Sequence, residues 1–109
     1  MNLINCTPHA VNIQRLDGTF LAVPPSHLLA RCTVSSEVLR TVDGIAVSRV
    51  VFGHVTGLPD EVAGDDAPVY IVSLLVRNAL PQRRDLVSPG ELIRDAAGVV
   101  LGCKGLSAS

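Results

Sequence analysis

The sequence predicts an α+β domain: an antiparallel-rich, barrel-like β-sheet with one short main helix over about residues 73–80. Three observations predict it. Short valine-rich runs alternate with polar residues along most of the chain, the period of half-buried strands. Asp17-Gly18 and Asp43-Gly44 are hairpin signals, because tight hairpin turns need residues that tolerate positive φ. A capped helical stretch stands out at one place, where Ser73 leads into Leu74-Leu75-Val76-Arg77-Asn78-Ala79-Leu80 and Pro81 ends it.

The elements follow in order. Residues 2–6 read as a short strand, interrupted by Thr7-Pro8-His9. Residues 10–15 alternate, with Val11 and Ile13 against Asn12 and Gln14. Residues 19–23 return as the partner across Asp17-Gly18, and Pro24-Pro25-Ser26 breaks the ladder. Residues 27–34 alternate again, with Leu28, Ala30, Cys32 and Val34 against Leu29, Arg31 and Thr33. Residues 35–42 have no clear period and read as irregular or strand. Residues 45–56 form a long β-branched strand with Gly53 as a bulge. Residues 60–66 are acidic and contain glycine, a surface loop. Residues 69–72 are a buried strand leading to the capped helix. That helix is apolar nearly all round except for Arg77 and Asn78, so most of it should be buried. Leu86-Val87 is a short apolar run, and Ser88-Pro89-Gly90 reads as a turn. Residues 91–95 and 99–103 pair around Asp95-Ala96-Ala97-Gly98. Seven to nine short strands result.

At 109 residues the chain is a single domain over 1–109, large enough to bury roughly 65% of its unfolded surface. Phe20, Phe52 and Tyr70 are the only aromatic residues and the net charge is −1. That balance argues against nucleic acid, which calls for a basic face and stacking platforms. No signal peptide and no run of about 18 apolar residues is visible, so no membrane span and a cytoplasmic location are expected. Three cysteines, an odd number, fit buried free thiols in a reducing compartment. Few charges (17%) and open strand edges lead us to expect a homo-oligomer.

The stretch Asn5-Cys6-Thr7-Pro8-His9-Ala10-Val11 resembles the NLTPH-like opening of a family of small uncharacterised single-domain proteins of bacteria and their phages. The resemblance continues through Pro24-Pro25-Ser26, Ala30-Arg31, Gly57-Leu58-Pro59, Tyr70-Ile71-Val72-Ser73, Arg84-Asp85-Leu86-Val87, Pro89-Gly90 and Gly102-Cys103. It spans nearly the whole chain. Cys6 stands where the family pattern has leucine, and His27 where it has glycine. The resemblance implies a free-standing single-domain, phage-related protein and carries no activity with it; capture of a host factor or signal molecule fits it by analogy alone.

The residues themselves point to binding rather than catalysis. Cys6 and His9 have C-x-x-H spacing, but zinc needs a second close pair, so no metal and no cofactor are expected. The candidate ligand-binding residues are Thr7, His9, Ser73, Arg77 and Arg84. Thr7-Pro8-His9 is a fixed polar loop between strands, the kind of place that carries binding groups. Ser73 opens a helix whose free N–H groups favour an anion. Arg77 lies one turn along from Ser73, and arginine forks onto carboxylate or phosphate. The expected function is a non-catalytic binding protein for a small anionic, nucleotide-like ligand or a host partner protein. The alternative is a small hydrolase or transferase with His9 as general base and Cys6 as a candidate nucleophile, for which the sequence offers no obvious nucleophile–base–orienter set.

Overall fold

The computed structural model describes residues 2–109. Among these, eight strands and one helix run in the order β1 (Leu3–Asn5), β2 (Val11–Gln14), β3 (Phe20–Val23), β4 (Arg31–Val42), β5 (Ile45–Thr56), β6 (Val69–Ile71), α1 (Leu74–Ala79), β7 (Leu86–Arg94) and β8 (Val100–Ser107). Six strands form one sheet in the order β1-β6-β7-β8-β2-β3. The sheet curls until its ends meet. Asn5 bridges Pro25 just beyond β3, and the Ser26 N–H donates to the Asn5 carbonyl at 2.9 Å. The result is a nearly closed barrel. β4 and β5 take no part in it. They pair only with each other, as a ribbon of 12 residues per strand.

The three turn signals each join antiparallel neighbours, β2–β3, β4–β5 and β7–β8. Asp43 and Gly44 take φ values of 52° and 78°, the positive region their turn requires. The barrel as a whole is nevertheless mixed rather than antiparallel-rich. β1–β6, β6–β7 and β8–β2 run parallel. Parallel neighbours need crossover connections, and α1 supplies one between β6 and β7. Period-2 patterning finds strands but says nothing of their direction.

β6 lies at the centre of the packing. Its Tyr70 and Ile71, and Val72 just beyond, are buried, as expected of a parallel strand covered on both sides. Ile71 packs on one side with Ile13, Val23 and Cys103, inside the barrel. Tyr70 and Val72 pack on the other with Cys6, Val76 and Leu86. Val76 of α1, and Cys32 and Val55 at the ribbon's base, cover that outer face. Burying each of Ile71, Val72, Val76 and Leu86 contributes about 1.5–3 kcal/mol.

Other differences from the sequence reading have local causes. Residues 35–42 are strand, held by β5 rather than by a pattern of their own. The Gly53 bulge is present as a shift in the β4–β5 register between Cys32 and Val34. Ser88-Pro89-Gly90 does not turn the chain but continues β7, with Pro89 opposite Leu106. β6 pairs only with Leu86 and Val87, so proline sits beyond the last bond on that edge. Gly90 is required by close approach, since a Cβ there would collide with the Lys104 carbonyl oxygen.

Candidate functional site

The parallel register of β1 and β6 brings two of the expected stretches together. Asn5 pairs with Ile71, and the Cys6 N–H donates to the Ile71 carbonyl at 2.8 Å. Both strands leave the barrel at the same end, so the loop of residues 7–9 emerges beside Ser73. Pro8 and Ser73 line one shallow cleft of about 310 Å³, with Leu29, Ala30, Arg31 and Leu75.

Asn5 organises the loop. It is 1% exposed. Its Oδ1 accepts the Thr7 N–H at 2.9 Å and lies 2.6 Å from the Thr7 hydroxyl. Its Nδ2 donates to the carbonyls of His9 at 2.7 Å and Val23 at 3.1 Å. This is an Asx-type turn, in which the side chain takes over the work of backbone pairing. Asn5 is not among the residues expected at the site, although an asparagine two residues before a threonine and three before a proline is the signal for such a turn. Thr7 is therefore held by its hydroxyl within the loop. The His9 side chain is exposed and, among the described residues, makes no hydrogen bond or ion pair; its carbonyl is what the loop uses.

Ser73 caps α1, its hydroxyl accepting the Val76 N–H at 3.2 Å. The helix has only six residues. Few peptide dipoles are aligned in it, so the charge for an anion must come from a side chain.

Neither Arg77 nor Arg84 supplies that charge. Arg77 Nη1 donates to Ser88 Oγ at 3.1 Å and Ser107 Oγ at 2.9 Å, two serines that face each other across β7 and β8. Its Nε is buried without a partner. Arg77 thus ties α1 to the last strand. Arg84 lies at the other end of the barrel. Tyr70 pairs with Leu86, which sets Arg84 level with Pro68, roughly 16 Å along the strand direction from Ser73. The Arg84 N–H donates to Glu61 Oε2 at 3.0 Å. The cleft of about 550 Å³ that it borders is also lined by Glu61 and Asp65, whose carboxylates oppose an anion, and by Asp85. Next to it, Arg83 forks onto the buried Asp85 at 2.9 and 2.6 Å and lies over the Tyr70 ring. The Asp85 hydrogen bonds hold the Arg83 pKa above its ordinary value.

The cation at the cleft is Arg31. It is exposed and, among the described residues, makes neither an ion pair nor a side-chain hydrogen bond. In the sequence it stands as a polar position of an alternating strand and in the Ala30-Arg31 motif, neither of which marks it as a ligand contact. A third cleft of about 780 Å³ runs past Arg15, Leu16, Lys104 and Gly105. Asp17 beside it takes hydrogen bonds from the hydroxyl and N–H of Thr19, which lower its pKa.

Cys6 and Cys103 are buried and Cys32 is half-buried; all three are free thiols. Burial pushes the Cys6 pKa up, against the opposing pull of the Ser26 hydroxyl and the Arg83 charge. Among the described residues no three His, Cys, Asp or Glu side chains gather closely enough to hold a metal ion, and no helix is long and apolar enough to cross a membrane. No protein-family model matches the chain, and no curated protein or solved structure matches it either.

Proposed function

We propose that the protein is a non-catalytic binding protein that captures a small anionic molecule, a nucleotide or another small phosphate or carboxylate, in the cleft between Pro8 and Ser73. The observation that supports this most is the unpaired Arg31 at the rim of a partly apolar cleft. A fixed loop on one side and a capped helix on the other give that cleft rigid walls. Its volume lies at the lower end of the range for small-molecule sites, which favours a small ligand. An arginine is suited to such a ligand because its planar fork binds carboxylate or phosphate through two hydrogen bonds. Thr7, His9, Arg77 and Arg84 drop out as contacts in this reading; Ser73 stays, and Arg31 takes the place of the other two arginines. The alternative with His9 as general base lacks an orienting partner for the ring.

A ligand of the folded state raises apparent stability by mass action, so thermal shift tests the proposal. The panel is inorganic phosphate, nucleoside mono- and diphosphates and small dicarboxylates. At least one should raise the wild-type Tm. Arg31→Ala should abolish the rise while changing stability in buffer by no more than about 0.5 kcal/mol, because the side chain is exposed. Arg31→Lys should retain part of it. A panel without effect on the wild type, or an Arg31→Ala protein that responds like the wild type, contradicts the proposal.

A further inference from the structure

The β4–β5 ribbon has two unlike faces. Cross-strand partners share a face, and successive residues alternate between faces. On one face lie the pairs Val34 with Phe52, Ser36 with Val50 and Val38 with Ser48. On the other lie Ser35 with Val51, and Glu37 with Arg49, the latter joined by an ion pair of 2.8 Å. The first face carries no charge along these pairs. It also continues the core: Cys32, two residues before Val34, packs with Val55 against the outer face of the barrel. From there outward the apolar stripe is uncovered, with Val38 and Val50 60% and 57% exposed.

The ribbon leaves the chain with too much surface for its mass. Its 7557 Å² compares with about 5,800 Å² for a folded monomer of 11.5 kDa. Its radius of gyration is 16.5 Å, where about 13 Å is usual for this length. The excess, about 1,750 Å² counted over all sides of the ribbon, is about twice the roughly 800 Å² per partner of a standard interface. A two-stranded ribbon is by itself marginally stable in water.

We propose that the apolar face of the β4–β5 ribbon is the interface with a second copy of this chain, packed ribbon on ribbon about a twofold axis. A twofold interface needs a patch complementary to itself. A stripe of valine, phenylalanine and serine without charge meets that need, because nothing on it repels its own copy. The surface excess, spread over both faces and the edges of the ribbon, leaves room on one face for an interface of standard size. A copy of the chain is also the one partner present whenever the chain is made, and an apolar face of this size left waiting for another would invite aggregation.

Sedimentation of the full chain tests this, with Val50→Glu on the apolar face and Ser35→Glu on the opposite one. The wild type should sediment as a dimer at micromolar concentration. Val50→Glu should weaken the dimer by about 100-fold or more, since it buries an unpaired charge. Ser35→Glu should leave it intact. Amide exchange on the wild type gives a second measurement in case the variant fails to fold. Protection over residues 34–38 and 48–52 should rise with protein concentration. A wild type that stays monomeric up to about 100 µM overturns the proposal. So does protection independent of concentration, or a dimer that both variants leave unchanged, which would place the contact on the strand edges or the barrel.

Discussion

The backbone N–H and the hydroxyl of Thr7 both converge on the carboxamide oxygen of Asn5, at 2.9 and 2.6 Å. The same carboxamide donates through its nitrogen to two carbonyls, so one buried side chain fixes the loop against β3. Asn5→Asp keeps the shape but turns both donors into an acceptor facing carbonyl oxygens. It should cost about 3 kcal/mol or more. Thr7→Val removes one hydroxyl and should cost about 1 kcal/mol. Urea unfolding of the two variants measures the difference, and equal costs would show that Asn5 is not the organiser.

Arg77 should prove structural. Arg77→Met keeps the apolar stem and removes the bonds to Ser88 and Ser107. Hydrogen bonds from a charged group are worth more than neutral ones, while the unpartnered Nε is a cost that the variant relieves, so a net loss of about 1–3 kcal/mol is expected. Amide exchange at Leu106 and Ser107 should speed up as the strand end frays. Thermal shifts with the anion panel should match those of the wild type; a lost response would return Arg77 to the site.

How far the sequence could be read depended on the range of each interaction. The hairpins at Asp17-Gly18 and Asp43-Gly44, the Ser73 cap and the bounds of β5 are local, set by turn chemistry and period, and were legible. Residues 35–42 were not, because β5 holds them and their own serines and charges mask the alternation. Parallel pairing of β1 with β6 joins residues far apart in sequence. Of the expected site, that pairing brings the residue 7–9 loop beside Ser73. Helical spacing sets Arg77 beside Ser73, but its partners lie 11 and 30 residues away. Arg31 is not legible as a contact, because nothing in its own strand distinguishes it from a solvent-facing charge.

Cys6 gives a pH dependence whose sign is fixed. Burial raises its folded pKa above the ordinary value of 9.0, favouring the neutral thiol in the fold. A raised folded value means that the contribution is complete below the unfolded pKa and is lost as pH climbs through the folded one. Wild-type stability should therefore fall more steeply than that of Cys6→Ala as the pH climbs through and above the ordinary thiol value of 9.0. Parallel curves for the two proteins would contradict the burial of this thiol.

The most direct measurement is a heteronuclear NMR titration of the wild-type chain with inorganic phosphate and a nucleoside monophosphate. Amide shifts should concentrate at Arg31, Ser73, Leu74 and Leu75, saturate with one dissociation constant, and be absent from Arg31→Ala. Shifts centred on Arg15 and Lys104, or no saturable shift at all, would contradict a ligand site between Pro8 and Ser73.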